Sequence, residues 1–406
     1  MTRYLCIISA LIFTFPVQAE EKIIRIYQDA DLSNHAESSM AIQKGIEVAF
    51  KETGNEIAGH KIEFEYLDHR GNVARSKQNY EKFLADPKAL AIYSGIHSPP
   101  LIRNREFINK NGALTLVPWA AGGPITRHPS PENWIFRLSV DDMRAGQFMI
   151  DHAMNNKGCK NPHLLLESTS WGDSNLASMS KALLSHGVSS PGVTRFSWNT
   201  QAQAARIMLR NIISSADDCI ILVANAKEGA VITQALLDIK SHIPIISHWG
   251  ITGGDFHEKI TNEKRKMLDL SFIQSCFAFT NDNQTAFSNA TFENLKKHAK
   301  GAISAPEDLR SAVGFIHAYD LTRILIATIK QAGLSGDIAE DRNAIRLALE
   351  NLQKPVEGLI KTYNAPFSTF DAQNNINAHE ALHIEDYCMA RYGDSDEITI
   401  IETDIE

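Results

Sequence analysis

The sequence predicts an α/β protein built from two similar lobes, each with a largely parallel β-sheet. Short runs rich in β-branched and apolar residues alternate with longer segments of helical periodicity. This alternation occurs twice, over residues 22–118 and again over residues 141–249. Such alternation produces parallel sheets covered by helices on both faces. A length of 406 residues also favours two domains over one.

The first alternating run begins with a strand. Strands are predicted at 22–28, 61–68, 90–95 and 113–118. Helices are predicted at 38–54, 76–86 and 101–112. Gly54 ends the first helical pattern and Pro87 follows the second, because glycine and proline are typical of helix ends.

The second run begins with a helix predicted at 141–158, for which Asp141 is the expected N-cap. Strands follow at 163–167, 192–198, 219–225 and 243–249. The helices between them are predicted at 174–187, 203–216 and 228–240.

The last third of the chain breaks the alternation. A strand-like run at 271–280 precedes helices at 283–300, 306–332 and 338–351, and short β-like runs follow at 359–370, 381–390 and 397–402. We expect the chain to cross between the lobes near 138–141, 273–280 and 378–390. The first lobe then comprises residues 20–139 and 276–378, and the second comprises residues 140–275 and 379–406.

Residues 1–19 predict a cleaved secretory signal peptide and therefore a periplasmic protein. Arg3 precedes the apolar run "YLCIISALIFTF", which is too short to span a bilayer with margin, and Val17 and Ala19 stand before a cut at Glu20. A short membrane anchor is the alternative. We expect no later membrane-spanning segment. Removing these 19 residues, one of them an arginine, leaves 387 residues with a formal net charge of −9. This acidic balance argues against nucleic-acid binding, which requires a basic face.

Four cysteines remain after the signal peptide, and an even number in an exported chain indicates disulfides. Cys159 precedes one predicted strand and Cys219 begins another, so a bond between them is plausible if the strands are neighbours. Cys276 and Cys388 are weaker candidates for a second bond. Four buried free thiols are the alternative.

Candidate ligand contacts follow the predicted strands, because ligands of open α/β sheets bind beyond the carboxyl ends of the strands. These candidates are His97, Ser98, Trp119, Ala120, Ala121, Trp171, Asn225, His248 and Trp249. Ser98 and the free N–H groups at its helix start suit an anionic or carbonyl group, although a plain N-cap is equally consistent. Indole rings hold flat rings, apolar bodies or soft cations, although a tryptophan is more often part of a core.

The whole mature chain resembles the type 1 periplasmic solute-binding proteins, in the branch that binds branched-chain amino acids for ABC importers. The resemblance rests on the order and spacing of segments such as "YSGIHSPPLI", "GALTLVPWAAGGPIT", "WGDSNLASMSKAL" and "GFIHAYDLTRILIATIKQAG". It implies two Rossmann-like lobes joined by three hinge segments, with a ligand cleft between them. It also implies a non-enzyme without a cofactor, whose partners are a small molecule and a membrane ABC permease.

The resemblance assigns ligand contacts only in part. It implies that Ser98 and the backbone of Ala120 bind a carboxylate, that Trp171 covers the ligand, and that Phe315 closes one side. Asn225 replaces an expected tyrosine, Gly122 follows Ala121 where the family has a threonine, and His248 and Trp249 stand where an acidic residue holds an ammonium group. Because an unpaired ammonium in a closed cleft is costly, we expect an aromatic, amide-like, heterocyclic or apolar solute instead of a standard amino acid.

Two alternatives remain open. The same module can serve as a periplasmic sensor for a receptor kinase or chemoreceptor. The segment "HEALH" at 379–383 has the spacing of a zinc-peptidase motif, with His379, Glu380 and His383 as the candidate residues of a zinc hydrolase. That motif requires a helix, whereas this segment is expected to be extended, which separates its histidines by about 13 Å.

Overall fold

A computed structural model describes residues 22–401. The predicted signal peptide lies outside the described residues. The first lobe contains strands β1 Ile23–Ala30, β2 Glu56–Ile57, β3 His60–Asp68, β4 Ala89–Ser94, β5 Thr115–Val117 and β6 Ile135–Arg137. The helices between them are α1 Ala36–Lys51, α2 Val73–Ala85 and α3 Ser98–Lys110. The strand order is β2-β3-β1-β4-β5-β6, and all pairs are parallel apart from the β2–β3 hairpin. This lobe therefore has the predicted parallel α/β arrangement.

The second alternating run builds a second sheet. Its helices are α4 Asp142–Asp151, α5 Ser170–Ser185, α6 Ala202–Ser214, α7 Ala226–Asp238, and the short α8 Phe256–Lys259 and α9 Asn262–Arg265. Its strands are β7 Pro162–Glu167, β8 Val193–Phe196, β9 Cys219–Val223, β10 Ile245–Ser247 and β11 Leu270–Ser275. Asp141 is the N-cap of α4, as predicted, and its side chain accepts a hydrogen bond from the Met143 N–H at 3.2 Å.

The last third of the chain returns to the first lobe and then crosses again. Its elements are α10 Ala286–His298, α11 Ala312–Ala332, α12 Ile338–Leu349, β12 Val356–Glu357, β13 Thr362–Tyr363, β14 Tyr387–Tyr392 and β15 Ile398–Ile401. The last two strands pair antiparallel beside β11, which gives the second sheet the order β15-β14-β11-β10-β9-β7-β8. The two-lobed α/β fold with a parallel core in each sheet is thus confirmed, whereas the lobe boundaries remain our proposal.

Helix α11 lies at the centre of the first lobe. It crosses α1 at Gly45, where an added Cβ would lie 2.5 Å from the Phe315 carbonyl oxygen. By length and composition α11 is apolar enough to cross a membrane, contrary to our expectation from the sequence, but 83% of that apolar window is buried within the protein. Its apolar composition is explained by contacts on several faces with the rest of the lobe.

Both pairs of cysteines form disulfides beside strands of the second sheet. Cys159 and Cys219 form a disulfide with a Cα–Cα distance of 6.0 Å, and their strands β7 and β9 are paired. Cys276 and Cys388 form a second disulfide with a Cα–Cα distance of 5.0 Å. The second bond joins the end of β11 to β14, so it ties the last crossing of the chain to the sheet that it enters.

Several predicted strands are shorter in the structure. The run predicted at 243–249 is a strand only over Ile245–Ser247, and residues Trp249–Thr252 form a 3-10 turn. Of the run 381–390, only Tyr387 onwards is a strand. Trp249 packs against Trp119 and His317, and the Leu382 carbonyl accepts a hydrogen bond from Arg144, so tertiary contacts replace the ladder that local β propensity favours.

Candidate functional site

The predicted ligand contacts fall into two adjoining groups, one outlier, and three residues that make mainly backbone-directed contacts. Trp119, Trp171, His248 and Trp249 form a contiguous aromatic group, which we call the indole cluster together with Asp142. His97 and Asn225 line a neighbouring polar cavity. Phe315 lies elsewhere.

The indole cluster joins the two lobes. The rings of Trp119, after β5, and Trp249, after β10, have centroids 6.0 Å apart, and both residues are 1% exposed. The ring of His248 lies 6.4 Å from that of Trp249 and 5.1 Å from that of Trp171. The three predicted indoles thus converge, but they are packed against one another and their neighbours. The close approach of α11 to this cluster depends on Gly314, where an added Cβ would lie 2.8 Å from Cζ3 of Trp119.

The carboxylate of Asp142 lies at the centre of the cluster. Its Oδ1 is 3.0 Å from His248 Nε2 and accepts a hydrogen bond from the Trp171 indole N–H at 3.4 Å. His248 and Asp142 are both fully buried. An acidic group therefore lies beside His248 after all, although α4 supplies it. The family's usual acidic position would place it in the loop after β10.

Three polar atoms of this cluster are buried without a hydrogen-bond partner among the described residues. They are the indole Nε1 of Trp119, Oδ2 of Asp142 and Nδ1 of His248. Most buried polar atoms of folded proteins have a partner, and each exception requires an explanation. These three atoms make the cluster a candidate site for a polar guest.

The neighbouring cavity, which we call the interlobe cavity, has a volume of about 180 Å³. Loops that follow the strands of both sheets line it. Its lining residues are Asp31, Asn34, His35, Arg70, His97, Trp198, Asn199, Asn225, Lys227 and Glu228. Asn225, predicted as a ligand contact, donates a hydrogen bond from Nδ2 to Glu167 Oε2 at 3.3 Å. The cavity is therefore rich in charged and hydrogen-bonding groups.

Two other histidines, His35 and His69, lie close to His97, which lines this cavity. The ring of His35 lies 4.5 Å from that of His97, edge to face, and the ring of His69 lies 6.0 Å away. Burial, and then repulsion from His97, lowers the pKa of His35 to about 3. Burial likewise lowers the pKa of His69 to about 3. Both imidazoles are therefore neutral at pH 7.

Ser98 and the two alanines make mainly backbone-directed contacts. The Ser98 hydroxyl accepts a hydrogen bond from the Gly122 N–H at 3.0 Å, and it lies in the first turn of α3. The Ala121 carbonyl accepts from the Asp142 N–H at 2.9 Å, which links the two lobes at the first crossing. Ala120 is completely buried beside it.

Phe315 does not contact the indole cluster through its ring. It packs against Phe279 and Tyr319, with ring centroids 6.0 and 5.8 Å apart. On the same helix, His317 contacts Trp249 instead, with a ring separation of 5.0 Å. The expectation that Phe315 covers the ligand therefore gains no support from these contacts.

The segment "HEALH" has a structural role at the last crossing. It is a turn followed by a bridge between Glu380 and Arg137, and it is neither the helix that a zinc peptidase requires nor the regular strand that we expected. His379 is fully buried, with Nδ1 3.0 Å from the Ile135 carbonyl oxygen and Nε2 3.1 Å from Glu350. Both ring nitrogens of His379 are thus engaged with protein groups.

Glu380 belongs to a buried ionic network at the crossings. Its carboxylate accepts two hydrogen bonds from Arg137, each of 2.7 Å, and Arg137 also donates to Asp141 at 2.8 Å. Burial alone would raise the pKa of Asp141, but the guanidinium groups of Arg137 and Arg127 outweigh it and lower this pKa. The network joins the first and third crossings.

Sequence reasoning missed Asp31, His35 and Trp198 in the cavity and Asp142 in the indole cluster. The first two follow β1 as D-x-x-x-H, at the sheet edge where His97 follows the adjacent strand β4. The same rule about strand ends therefore applied to them. Asp142 carried no comparable signal, because it stands beside the N-cap residue at the start of a helix.

Two α/β lobes whose strand ends meet at a shared cavity, joined by three crossings, have the architecture of a two-lobed binding protein. The chain matches the sequence profile of the Periplasmic binding protein family over residues 31–382, and it belongs to that family. Its resemblance to the type 1 proteins of the branched-chain amino acid-binding type is thereby confirmed.

Solved structures agree in fold. A type 1 periplasmic binding protein from Bordetella pertussis Tohama I is 19% identical with a TM-score of 0.75, covering 94% of this chain and 100% of that one. A leucine-binding protein from Thermotoga maritima MSB8 is 16% identical with a TM-score of 0.72, covering 94% and 98%. An ABC-transporter solute-binding protein from R. palustris, solved with 4-hydroxybenzoate, is 18% identical with a TM-score of 0.75, covering 94% and 96%. A comparison with curated proteins finds no match.

Proposed function

We propose that this protein captures a small organic solute between its lobes and delivers it to a membrane ABC permease from the periplasm. Family membership and the two-lobed fold support this proposal. The arrangement matches binding proteins that close around a ligand by hinge motion. The single observation that carries it is the set of buried, unpartnered polar atoms where the lobes meet.

The chemistry of these atoms indicates the class of solute. The Trp119 indole N–H is a donor, and Asp142 Oδ2 is an acceptor. Because His248 Nε2 faces the Asp142 carboxylate, its Nδ1 presents a lone pair and is a second acceptor. A complementary solute offers one acceptor and two donors. An amide or an amino-substituted heterocycle has this pattern, whereas a carboxylate would place negative charge against Asp142.

The aromatic neighbours favour a planar solute. Indole faces and edges bind flat rings through offset and edge-to-face contacts. The R. palustris relative was solved with 4-hydroxybenzoate, so an aromatic guest is compatible with the fold. We therefore propose an aromatic, heterocyclic or amide-like solute in preference to an aliphatic amino acid.

A thermal-shift screen tests this proposal. The purified chain would be heated with aromatic amides, amino-heterocycles, aromatic acids and branched-chain amino acids. We expect the melting temperature to rise with the first two classes, since a ligand that binds only the folded state stabilises it. Stabilisation by leucine or valine alone would contradict the proposed ligand class.

The variant Asp142→Asn tests whether the solute binds at the indole cluster. It keeps the size of the side chain but replaces an acceptor oxygen by an N–H donor. We expect at least about a tenfold loss of affinity for the stabilising solute, since one charged hydrogen bond contributes about 1.5–3 kcal/mol. The matched control is Asp173→Asn, at an exposed carboxylate that pairs with Arg195. Equal affinities of the two variants would contradict a role for the indole cluster.

A further inference from the structure

We propose that Asp31, His35 and His97 form a binding site for a divalent transition-metal ion of the zinc type at the edge of the interlobe cavity. The site lies in the first lobe, at the carboxyl ends of the adjacent strands β1 and β4. It is independent of the "HEALH" segment and of the proposed organic solute.

The residue types and their spacing match a metal site. Asp31, His35 and His97 each offer one ligand atom, and these atoms all lie within 4.8 Å of one another. Two imidazoles and one carboxylate are a common ligand set for zinc and related ions, and sites with three protein ligands leave a further position open. Asp31 and His35 are four residues apart at the entrance to α1, where the chain turns both toward His97.

The contact between His97 and Asp31 is the most informative distance. His97 Nε2 lies 3.4 Å from Asp31 Oδ2, and both side chains are 3% exposed. Two ligand atoms on a tetrahedral zinc ion, each bonded at about 2.0–2.1 Å, are about 3.3 Å apart. The observed separation is therefore the one that a shared ion requires.

The Nε2 atom of His97 makes no hydrogen bond within the described residues. This nitrogen is buried, and Asp31 is close by. The residue is 5% exposed and lines the cavity. At 3.4 Å the contact with Asp31 is longer than a normal N–H···O hydrogen bond, and a metal ion held between the two atoms would satisfy both of them.

The surroundings hold Asp31 in place. Asn34 donates to Asp31 Oδ1 from its backbone N–H at 2.9 Å and from its side-chain Nδ2 at 3.0 Å. Hydrogen bonds of this kind orient ligating carboxylates in metal sites. The cavity of about 180 Å³ has room for the ion and several waters. Glu228, on the second-lobe side of the same cavity, adds negative charge near the site.

Two cations in the cavity lining oppose a metal ion, but each has a protein partner. Lys227 Nζ donates to Asn199 Oδ1 at 2.6 Å, and Arg70 Nε donates to Asp68 at 3.3 Å. The starts of α1 and α3 also carry partial positive charge near the site. The carboxylates of Asp31 and Glu228 offset these charges, so the cavity does not exclude a divalent cation.

Titration calorimetry with ZnCl₂ tests the site. The chain without an affinity tag would be treated with EDTA, dialysed and titrated, alone and as the variants His35→Gln and His97→Gln. We expect one equivalent of Zn²⁺ per wild-type chain and at least about a tenfold weaker affinity in each variant. Bound Co²⁺ would give visible absorption that both variants lose.

The matched control is His383→Gln, which alters an exposed histidine of the "HEALH" segment. It should bind Zn²⁺ like the wild type. Melting curves in EDTA check that each variant is folded, and neither His35 nor His97 makes a side-chain capping hydrogen bond to its helix. The absence of saturable Zn²⁺ binding, or equal affinities in the wild type, His35→Gln and His97→Gln, would overturn the proposal. The titration contains no organic solute, so a negative result would not contradict the proposed solute binding.

Discussion

At the residue scale, His317 shows how burial keeps a histidine side chain neutral. It is fully buried on α11, with Nδ1 3.0 Å from the Leu138 carbonyl oxygen and Nε2 2.9 Å from the Ser275 hydroxyl. Burial lowers its pKa to about 4. The first bond requires an N–H on Nδ1, so the Nε2 lone pair accepts from the serine. Protonation would remove that acceptor.

This shift predicts a loss of stability at mildly acidic pH. A histidine whose pKa is depressed in the folded state stabilises the fold above about pH 6.5, and this contribution is lost as the pH falls toward 4. Between pH 7.5 and pH 5, the free energy of unfolding of the wild type should fall by about 2 kcal/mol more than that of His317→Gln. Urea unfolding at both pH values measures the difference.

The control for this prediction is His383→Gln, since His383 is exposed. Its loss of stability between the two pH values should equal that of the wild type. Equal losses in the wild type and His317→Gln would show that His317 does not titrate as its burial requires.

Asp142 contacts a side chain that is distant from it in the sequence. The sequence places an acidic residue at the beginning of α4, where it reads as a favourable partner of the helix N-terminus. Only the structure places its carboxylate 3.0 Å from His248, about one hundred residues further along the chain. An acidic group therefore lies in the indole cluster, which we did not expect from the sequence, although the pattern of unpartnered atoms still favours an amide-like solute.

At the element scale, the last crossing illustrates the limits of a short motif. The spacing of "HEALH" is that of a metal-binding helix, but the segment forms a turn and a bridge. Its glutamate neutralises Arg137, which is completely buried at the end of β6. The sequence correctly predicted that this segment is not helical. It could not predict the ionic role of the segment, because that role depends on Arg137, which is distant in sequence.

This role predicts a large effect of Glu380→Ala. Glu380 and Asp141 together balance the guanidinium groups of Arg137 and Arg127. Removing Glu380 leaves two largely buried cations with one carboxylate, and breaking a buried ion pair in this way typically costs about 3–5 kcal/mol. We expect the free energy of unfolding to fall by that amount in urea or guanidinium unfolding at pH 7.

The matched control is Glu385→Ala, an exposed glutamate five residues later. It should change the free energy of unfolding by no more than about 0.5 kcal/mol, as most surface substitutions do. A similarly small effect of Glu380→Ala would mean that Arg137 finds compensation elsewhere.

At the scale of the whole molecule, the described form has its lobes in contact. Trp119 of the first lobe packs against Trp249 of the second, and the Asp142 N–H donates to the Ala121 carbonyl. A solute that binds both lobes shifts the population toward closed forms in proportion to its preference for them. We therefore propose that the guest drives closure.

This predicts a measurable compaction. Small-angle X-ray scattering should give a smaller radius of gyration when the stabilising solute from the thermal-shift screen is added, because hinge closure brings the lobes together. Asp142→Asn at the same solute concentration should remain as expanded as the solute-free protein. An unchanged radius of gyration for the wild type at saturating solute would contradict solute-driven closure.

The sequence by itself determined the two α/β lobes and the sheet edge at which the candidate ligand contacts lie. Strand and helix periodicities are local, and the carboxyl ends of parallel strands necessarily share an edge. Only the tertiary structure decided which strand ends meet across the lobes. It packed Trp119 against Trp249, moved Phe315 away from them, and brought Asp31 and His35 to His97. The physical reason is that these contacts depend on strand order and on the geometry between the lobes. They join residues that are distant in sequence, and no local sequence pattern predicts such contacts.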